Sequence, residues 1–346
     1  MIRSTTVRGA FVAGAAIAGA LFSAGAAQAQ GSGSATIDAI RARGELVCGV
    51  AGNVPGFSLP DSQGVMRGLD ADSCRSVAVA ILGDAKKVKF VPTTTTNRFT
   101  ALQSGEVDML SRTTTWTLGR EANLGLLFAG VNYYDGTGFL VKKALGVKSA
   151  KELDGATICV QPGTSTELAV ADYFRVNKLK FTPILIADLA ELQGAFLSGR
   201  CDVYSTDGSQ LATFRATQPD KENLLLLPET ISKEPLGYVV RKGDDKFFDL
   251  VRWTFFAQLI AEENGITSKN IDGFLTSTVP DIRRLLGLEG DMGKALGVDN
   301  KFAYNIVKQV GNFGELWDRN IAVLGVPRGI NALWNKGGLQ YAPPMR

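Results

Sequence analysis

The chain has 346 residues, with 37 Lys or Arg against 34 Asp or Glu, a formal net charge of +3. That near-balance leaves no field to attract nucleic acid, and 45% hydrophobic with 21% charged residues is the composition of a globular protein whose length suggests roughly two domains. There is no histidine, so Ser-His-Asp and Cys-His nucleophile pairs, histidine proton shuttles and histidine-ligated metals are excluded, and neither a metal nor a cofactor is expected.

Arg3 and Arg8 precede an uncharged Ala/Gly-rich stretch from Gly9 to Ala27 that ends in Ala27-Gln28-Ala29. This is the small-x-small pattern of a cleaved signal peptide, predicted over 1–29 and preferred to a retained membrane anchor because the stretch is weakly apolar, and it marks the mature protein as exported. Cleavage removes two positive charges and no acid, leaving +1 of the original +3. No later window is long and apolar enough to span a bilayer.

Beyond the leader, Val47-Cys48-Gly-Val-Ala-Gly52 reads as a strand ending in a Gly loop, and Leu69-Asp70-Ala-Asp-Ser73 as a helix start with Asp70 as its cap, running to Gly83. Asp70 has a second reading as a ligand contact. Ala101–Ser111 then gives a helix end, a Gly cap and a short strand over Val107–Leu110. It is followed by Ser111-Arg-Thr-Thr-Thr-Trp-Thr-Leu-Gly-Arg120, in which hydroxyls, an indole and a guanidinium could hold a small anion. The alternative is a polar surface loop.

The pattern repeats. Ile158-Cys159-Val-Gln-Pro-Gly163 echoes the first strand, Thr164 or Thr166 opens a helix, and Ala195–Ser205 matches Ala101–Ser111 at Ala, Ser, Gly, Asp and Ser. Two β-α-β-α-β lobes are therefore expected. Gly138–Lys143 and Gly237–Lys242 resemble each other and are predicted to be two antiparallel crossing strands, which makes 138–236 an inserted lobe and 36–137 plus 237–346 the other. Phe247, Phe248, Leu250, Val251, Trp253, Phe256 and Leu259 recur at helical spacing and belong to a helical extension covering the first lobe. Four cysteines allow three pairings. Cys48–Cys74 and Cys159–Cys201 are preferred, because they place one bridge in each half.

Ligands of open α/β sheets sit beyond the carboxyl ends of the strands. In the first lobe those loops are Gly52–Phe57 and Thr113–Arg120, and in the second Gly163–Glu167 and Ser205–Asp207. Arg120 and the helix start at Thr164 suit a carboxylate, and Asp207 suits an ammonium. The pair describes a receptor for a zwitterion.

The strings GLDADSCR (68–75), ALQSGEVDMLSRTTTWTLGR (101–120), FAGVNYYDG (128–136), GATICVQPGTSTEL (155–168), GRCDVYSTDGS (199–209), ISKEPLG (231–237) and GGLQYAPPMR (337–346) resemble the periplasmic amino-acid-binding proteins of polar amino acid ABC importers, in particular the general L-amino-acid-binding type. The resemblance implies a type II periplasmic binding protein fold, α/β, with two lobes, two hinge strands and a C-terminal helical extension. It also implies a monomer that hands an L-amino acid to a membrane permease and ATPase. Arg120 corresponds to the carboxylate-binding arginine and Asp207 to the ammonium-binding aspartate. Thr115, Thr164 and Ser165 match hydroxyl or amide donors to the carboxylate, with Thr113 and the Gly163 backbone beside them. Where many relatives place an aromatic over the ligand this chain reads Gly52-Asn53-Val54-Pro55, so Trp116 or Phe57 would supply the lid.

Three functions fit: broad capture of L-amino acids; selective binding of acidic or amide amino acids, with Arg112 as an extra cation unless it is only a surface or structural arginine; and a periplasmic dehydratase of the same fold, running on carboxylates.

Overall fold

The computed structural model describes residues 31–346. The signal peptide expected over 1–29 lies outside the described residues. Helix α1 (Ala35–Arg43) leads into β1 (Leu46–Val50), a minor hairpin of β2 (Leu59–Pro60) and β3 (Met66–Arg67), then α2 (Leu69–Leu82), β4 (Val88–Pro92), α3 (Arg98–Ser104), β5 (Met109–Thr115), α4 (Leu118–Asn123) and β6 (Leu126–Asp135). The second half runs β7 (Thr137–Lys142), β8 (Ala156–Val160), α5 (Ser165–Val176), β9 (Phe181–Leu185), α6 (Leu189–Ser198), β10 (Val203–Asp207), α7 (Gly208–Thr217) and β11 (Leu224–Leu226). The chain returns through β12 (Glu234–Arg241) to α8 (Asp245–Glu263) and the short helices α9 (Pro280–Leu285), α10 (Met292–Ala295), α11 (Phe302–Gln309) and α12 (Phe313–Asn320).

The repeat governs the topology. One sheet has the order β4-β1-β5-β12-β6 and the other β9-β8-β10-β7-β11. In each, the first strand of the β-α-β-α-β module lies between the next two and is parallel to both, and an antiparallel strand, β12 or β7, closes against the third. Gly105 and Gly199, the glycines shared by the repeat, both end their helices at φ near 80°, a left-handed conformation that glycine adopts at little steric cost.

The two similar runs at 138–143 and 237–242 are equivalent strands of the two sheets and do not pair with each other. The crossings lie just before them. The chain leaves the first sheet at Gly136 and returns over 227–233, antiparallel, with the Ile231 N–H donating to the Thr137 carbonyl and the Thr137 N–H to Ser232 Oγ at 3.1 Å. A Cβ on Gly136 would run into the Thr230 side chain and the Ser232 carbonyl, so the crossing needs glycine.

Both disulfides form as expected. Cys48–Cys74 ties β1 to α2 across a separation of 26 residues, and Cys159–Cys201 ties β8 to the approach to β10 across 42. Chain-entropy reasoning gives these loops about 3.5 and 4 kcal/mol. In the extension, α8 buries Phe247, Leu250, Val251 and Leu259 and packs on β6 and α2. Arg328 pairs with Glu262, and the Asn331 amide both accepts from the Tyr134 N–H and donates to its carbonyl, bracing the strand that enters the hinge.

Candidate functional site

A cavity of about 210 Å³ opens between the two sheets, bounded by the carboxyl ends of β1, β4, β5, β8, β9 and β10. Thr113, Thr115, Arg120, Thr164, Ser165 and Asp207 all line it. Five residues expected in a loop, Ser111–Thr115, continue β5 and are buried. A central strand with polar residues requires partners for them; Asp70 supplies them for Ser111 and Thr113, and Glu234 for Thr115. Asp70 accepts from the Ser111 hydroxyl (3.1 Å), the Thr113 N–H (3.0 Å) and Asn132 (3.3 Å). Burial pushes its pKa up to about 6. Thr113 is held there at φ 45°, a conformation that stores strain and is found at binding sites.

Asp70 therefore anchors the strand, and it does not cap α2. That helix begins at Gly68, which has φ 125° and no side-chain cap bond. A Cβ at Gly68 would fall on the Phe57 carbonyl, so the close approach of two backbones decides this helix start.

The arginines converge. Arg120, in the first turn of α4 after the Thr117 cap, donates to the Thr115 carbonyl at 2.7 Å. Burial lowers its pKa, and Glu234 and Asp207 oppose that shift. Arg112, weighed as a surface or structural arginine, is buried and lines the cavity. Burial brings its pKa to about 10. Arg98, which no sequence signal singled out, also lines it, and burial followed by the fields of Arg112 and Arg120 pushes its pKa well down. Arg98 reaches the Gly163 carbonyl at 3.4 Å, and the Nε atoms of Arg98 and Arg112 have no hydrogen-bond partner. Buried donors without acceptors are costly, and both residues line the cavity.

Asp207 ends β10, and its Oδ2 accepts from Gln210 at 2.7 Å. Burial, then Asp135 and Glu234, push its pKa well up, against the pull of Arg120. On the second lobe Thr164 caps α5, accepting from the Glu167 N–H at 3.1 Å and donating to the Gln161 carbonyl at 2.8 Å. Ser165 and Thr166, in the first turn, line the cavity. Among the described residues no group of acidic or cysteine side chains is arranged to hold a metal.

Three of the expected site residues do not line this cavity. Phe57 is 1% exposed and packs edge-on against Tyr133 at 5.4 Å in the first lobe's core. Trp116 stacks on Phe128 at 5.7 Å and donates to Glu121 at 2.9 Å, facing away from the cavity. Both are absent from the lining, which contains no aromatic. Gly163 is also outside the lining, its N–H spent on Glu167 at 2.8 Å.

Two open α/β sheets meeting over a small charged cavity define a cleft-type receptor for a small polar solute, of the type II periplasmic binding protein fold. Residues 46–265 match the bacterial extracellular solute-binding proteins, family 3, and the chain belongs to that family. It is 55% identical over 326 residues to the glutamate/glutamine/aspartate/asparagine-binding protein BztA of Rhodobacter capsulatus, covering 93% of this chain and 96% of that one. It is 51% identical over 337 residues to the general L-amino acid-binding periplasmic protein AapJ of Rhizobium johnstonii, covering 96% and 98%. Among solved structures, an ABC transporter periplasmic binding protein from Brucella ovis with glutathione bound matches at TM-score 0.88 and 50% identity, covering 90% of this chain and 99% of that one.

Proposed function

We propose that the protein is the periplasmic binding component of an ABC importer and captures free L-amino acids with broad tolerance of the side chain. Arg120 and the first-turn amides of α5 take the α-carboxylate, Asp207 takes the α-ammonium, and lobes of 36–137 plus 237–346 and of 138–236 close around the ligand for delivery to a permease and ATPase. The observation that carries this is the convergence of Arg120 and Asp207 on one cavity from opposite lobes. Both groups address what every α-amino acid shares. A volume of about 210 Å³ is below the roughly 300–1,000 Å³ of sites for drug-sized ligands, which favours a single amino acid over a tripeptide. Calorimetry of unfolded and refolded, ligand-free protein against the twenty amino acids tests this: comparable affinity for acidic, neutral and basic side chains is expected, and no binding of any would refute it.

A preference for acidic and amide ligands is the second reading. Arg98 and Arg112, buried with unpartnered Nε donors beside the same cavity, favour it. A binding role and not catalysis is proposed throughout; incubation with prephenate or arogenate, with no new aromatic absorbance, is the expected result.

A further inference from the structure

Glu234, the first residue of β12, is 2% exposed. Its Oε2 accepts from the Thr115 hydroxyl at 2.6 Å and the Ser165 hydroxyl at 2.7 Å, and its Oε1 from Ser232 at 2.5 Å and Thr137 at 3.3 Å. A carboxylate offers about four lone-pair positions, and here hydroxyls from four separate places use them: the end of β5, the first turn of α5, the return crossing and the start of β7. Ser232 and Thr137 lie at the crossing, where the chain is continuous between lobes. These two bonds fix the carboxylate to the hinge whatever the lobes do.

Ser165 differs: it stands on α5 beside the second sheet, whereas β12 places Glu234 in the first sheet, so residues 234–236 go with the first lobe and Ser165 meets Glu234 only when the lobes are together. Among the described residues, the other direct polar contacts of side chains between lobes, apart from the Thr137–Ser232 crossing, are Arg98 to the Gly163 carbonyl at 3.4 Å, the Thr115 and Ser165 hydroxyls, 3.0 Å apart, and the Ser209 N–H to the Asp135 carboxylate at 3.2 and 3.3 Å. The first is long, and in the second both hydroxyl protons already go to Glu234. Hydrogen bonds to a carboxylate are about twice as strong as neutral ones, and of the two carboxylates involved Glu234 makes the shorter bond, 2.7 Å to Ser165 against 3.2 Å from Ser209 to Asp135. We propose that Glu234 is the latch of the clamp: held at the hinge by Ser232 and Thr137, it captures Ser165 as the lobes meet and so slows ligand escape. As a positioning residue it acts through Ser165, and its effect on the ligand rests on the amino-acid reading above.

The test uses the full mature chain with a dye on each lobe, comparing Glu234→Gln, Ser165→Ala and the double variant. Inter-lobe transfer is read in ligand-free protein, and association and dissociation of L-alanine by stopped flow. Loss of a charge-assisted bond present only in the closed form should raise the dissociation rate roughly ten- to a hundredfold, leave association within about threefold, and lower the closed fraction without ligand. In the Ser165→Ala background Glu234→Gln should add under about threefold, since the partner is already gone. An equal rise in both backgrounds, or a melting temperature that falls while transfer and dissociation stay at wild-type values, overturns the latch. If Glu234→Gln fails to fold, Ser165→Ala decides through the ligand-free closed fraction, an unchanged value counting against the proposal. Wild-type protein that binds no alanine or other amino acid would defeat the amino-acid reading, while the ligand-free measurement would still decide the latch.

Discussion

Asp207 should couple amino-acid binding to pH. Its carboxyl is buried, and Asp135, itself pushed up to about 6 by burial, and Glu234 add negative field, so the empty site holds its proton far more tightly than an ordinary aspartate. An incoming α-ammonium reverses that balance, because an adjacent cation favours the ionised form. The complex therefore binds fewer protons than the free protein, and linkage requires affinity to rise with pH until the free carboxyl is ionised. The slope can reach about tenfold per pH unit, then flattens. Replacing Asp207 by Asn removes the slope and strands the ammonium in a closed site, a loss of about 3–5 kcal/mol, or roughly 10²–10³-fold or more in affinity for all amino acids alike. Titration calorimetry across pH 5–8, in two buffers of different ionisation enthalpy, reads both affinity and proton release. Affinity independent of pH with no proton released would refute the reasoning, as would an Asn variant that keeps the wild-type slope or weakens only one ligand.

The remaining expectations concern neighbouring groups. Arg98→Met should weaken glutamate at least about tenfold relative to alanine, since a buried cation without a full set of acceptors is discarded, and should leave the ligand-free protein as stable or more stable; calorimetry and thermal melts check both. Trp116→Ala should leave affinities within about threefold for every amino acid, because the indole stacks on Phe128 outside the cavity. Asp70 has a folded pKa of about 6 against an ordinary 3.8, so its favourable contribution is complete below about pH 4 and is lost as pH rises through 6, a span worth about 3 kcal/mol. Denaturant unfolding of Asp70→Asn should accordingly show a flatter stability profile between pH 4 and 6 than the parent, and an unchanged profile would contradict the assignment.

Much of this molecule is legible along the chain because its signals are local. Hydrophobic runs, Gly105 and Gly199 as helix stops, and the echo of 101–111 in 195–205 define two like modules, and a cysteine pair within each agrees with the bridges formed. Arg120, Asp207, Thr115, Thr164 and Ser165, which line the cavity, are legible as candidates because they stand at or just beyond strand ends, where open sheets present their ligands. What stayed hidden depends on which strand lies beside which. Phe57 and Trp116 are aromatics next to site loops, and only the packing of Tyr133 and Phe128 turns them away. The runs 138–143 and 237–242 look alike because they fill equivalent places in two sheets, yet their similarity suggested partners. Arg98 sits in an unremarkable helix start and Glu234 in a strand edge, with nothing local to mark either. Each of these charges reaches the cavity region through burial beside residues 60 to 120 positions away in the chain, such as Gly163 for Arg98 and Thr115 for Glu234, and that proximity is fixed only when both sheets have formed and met.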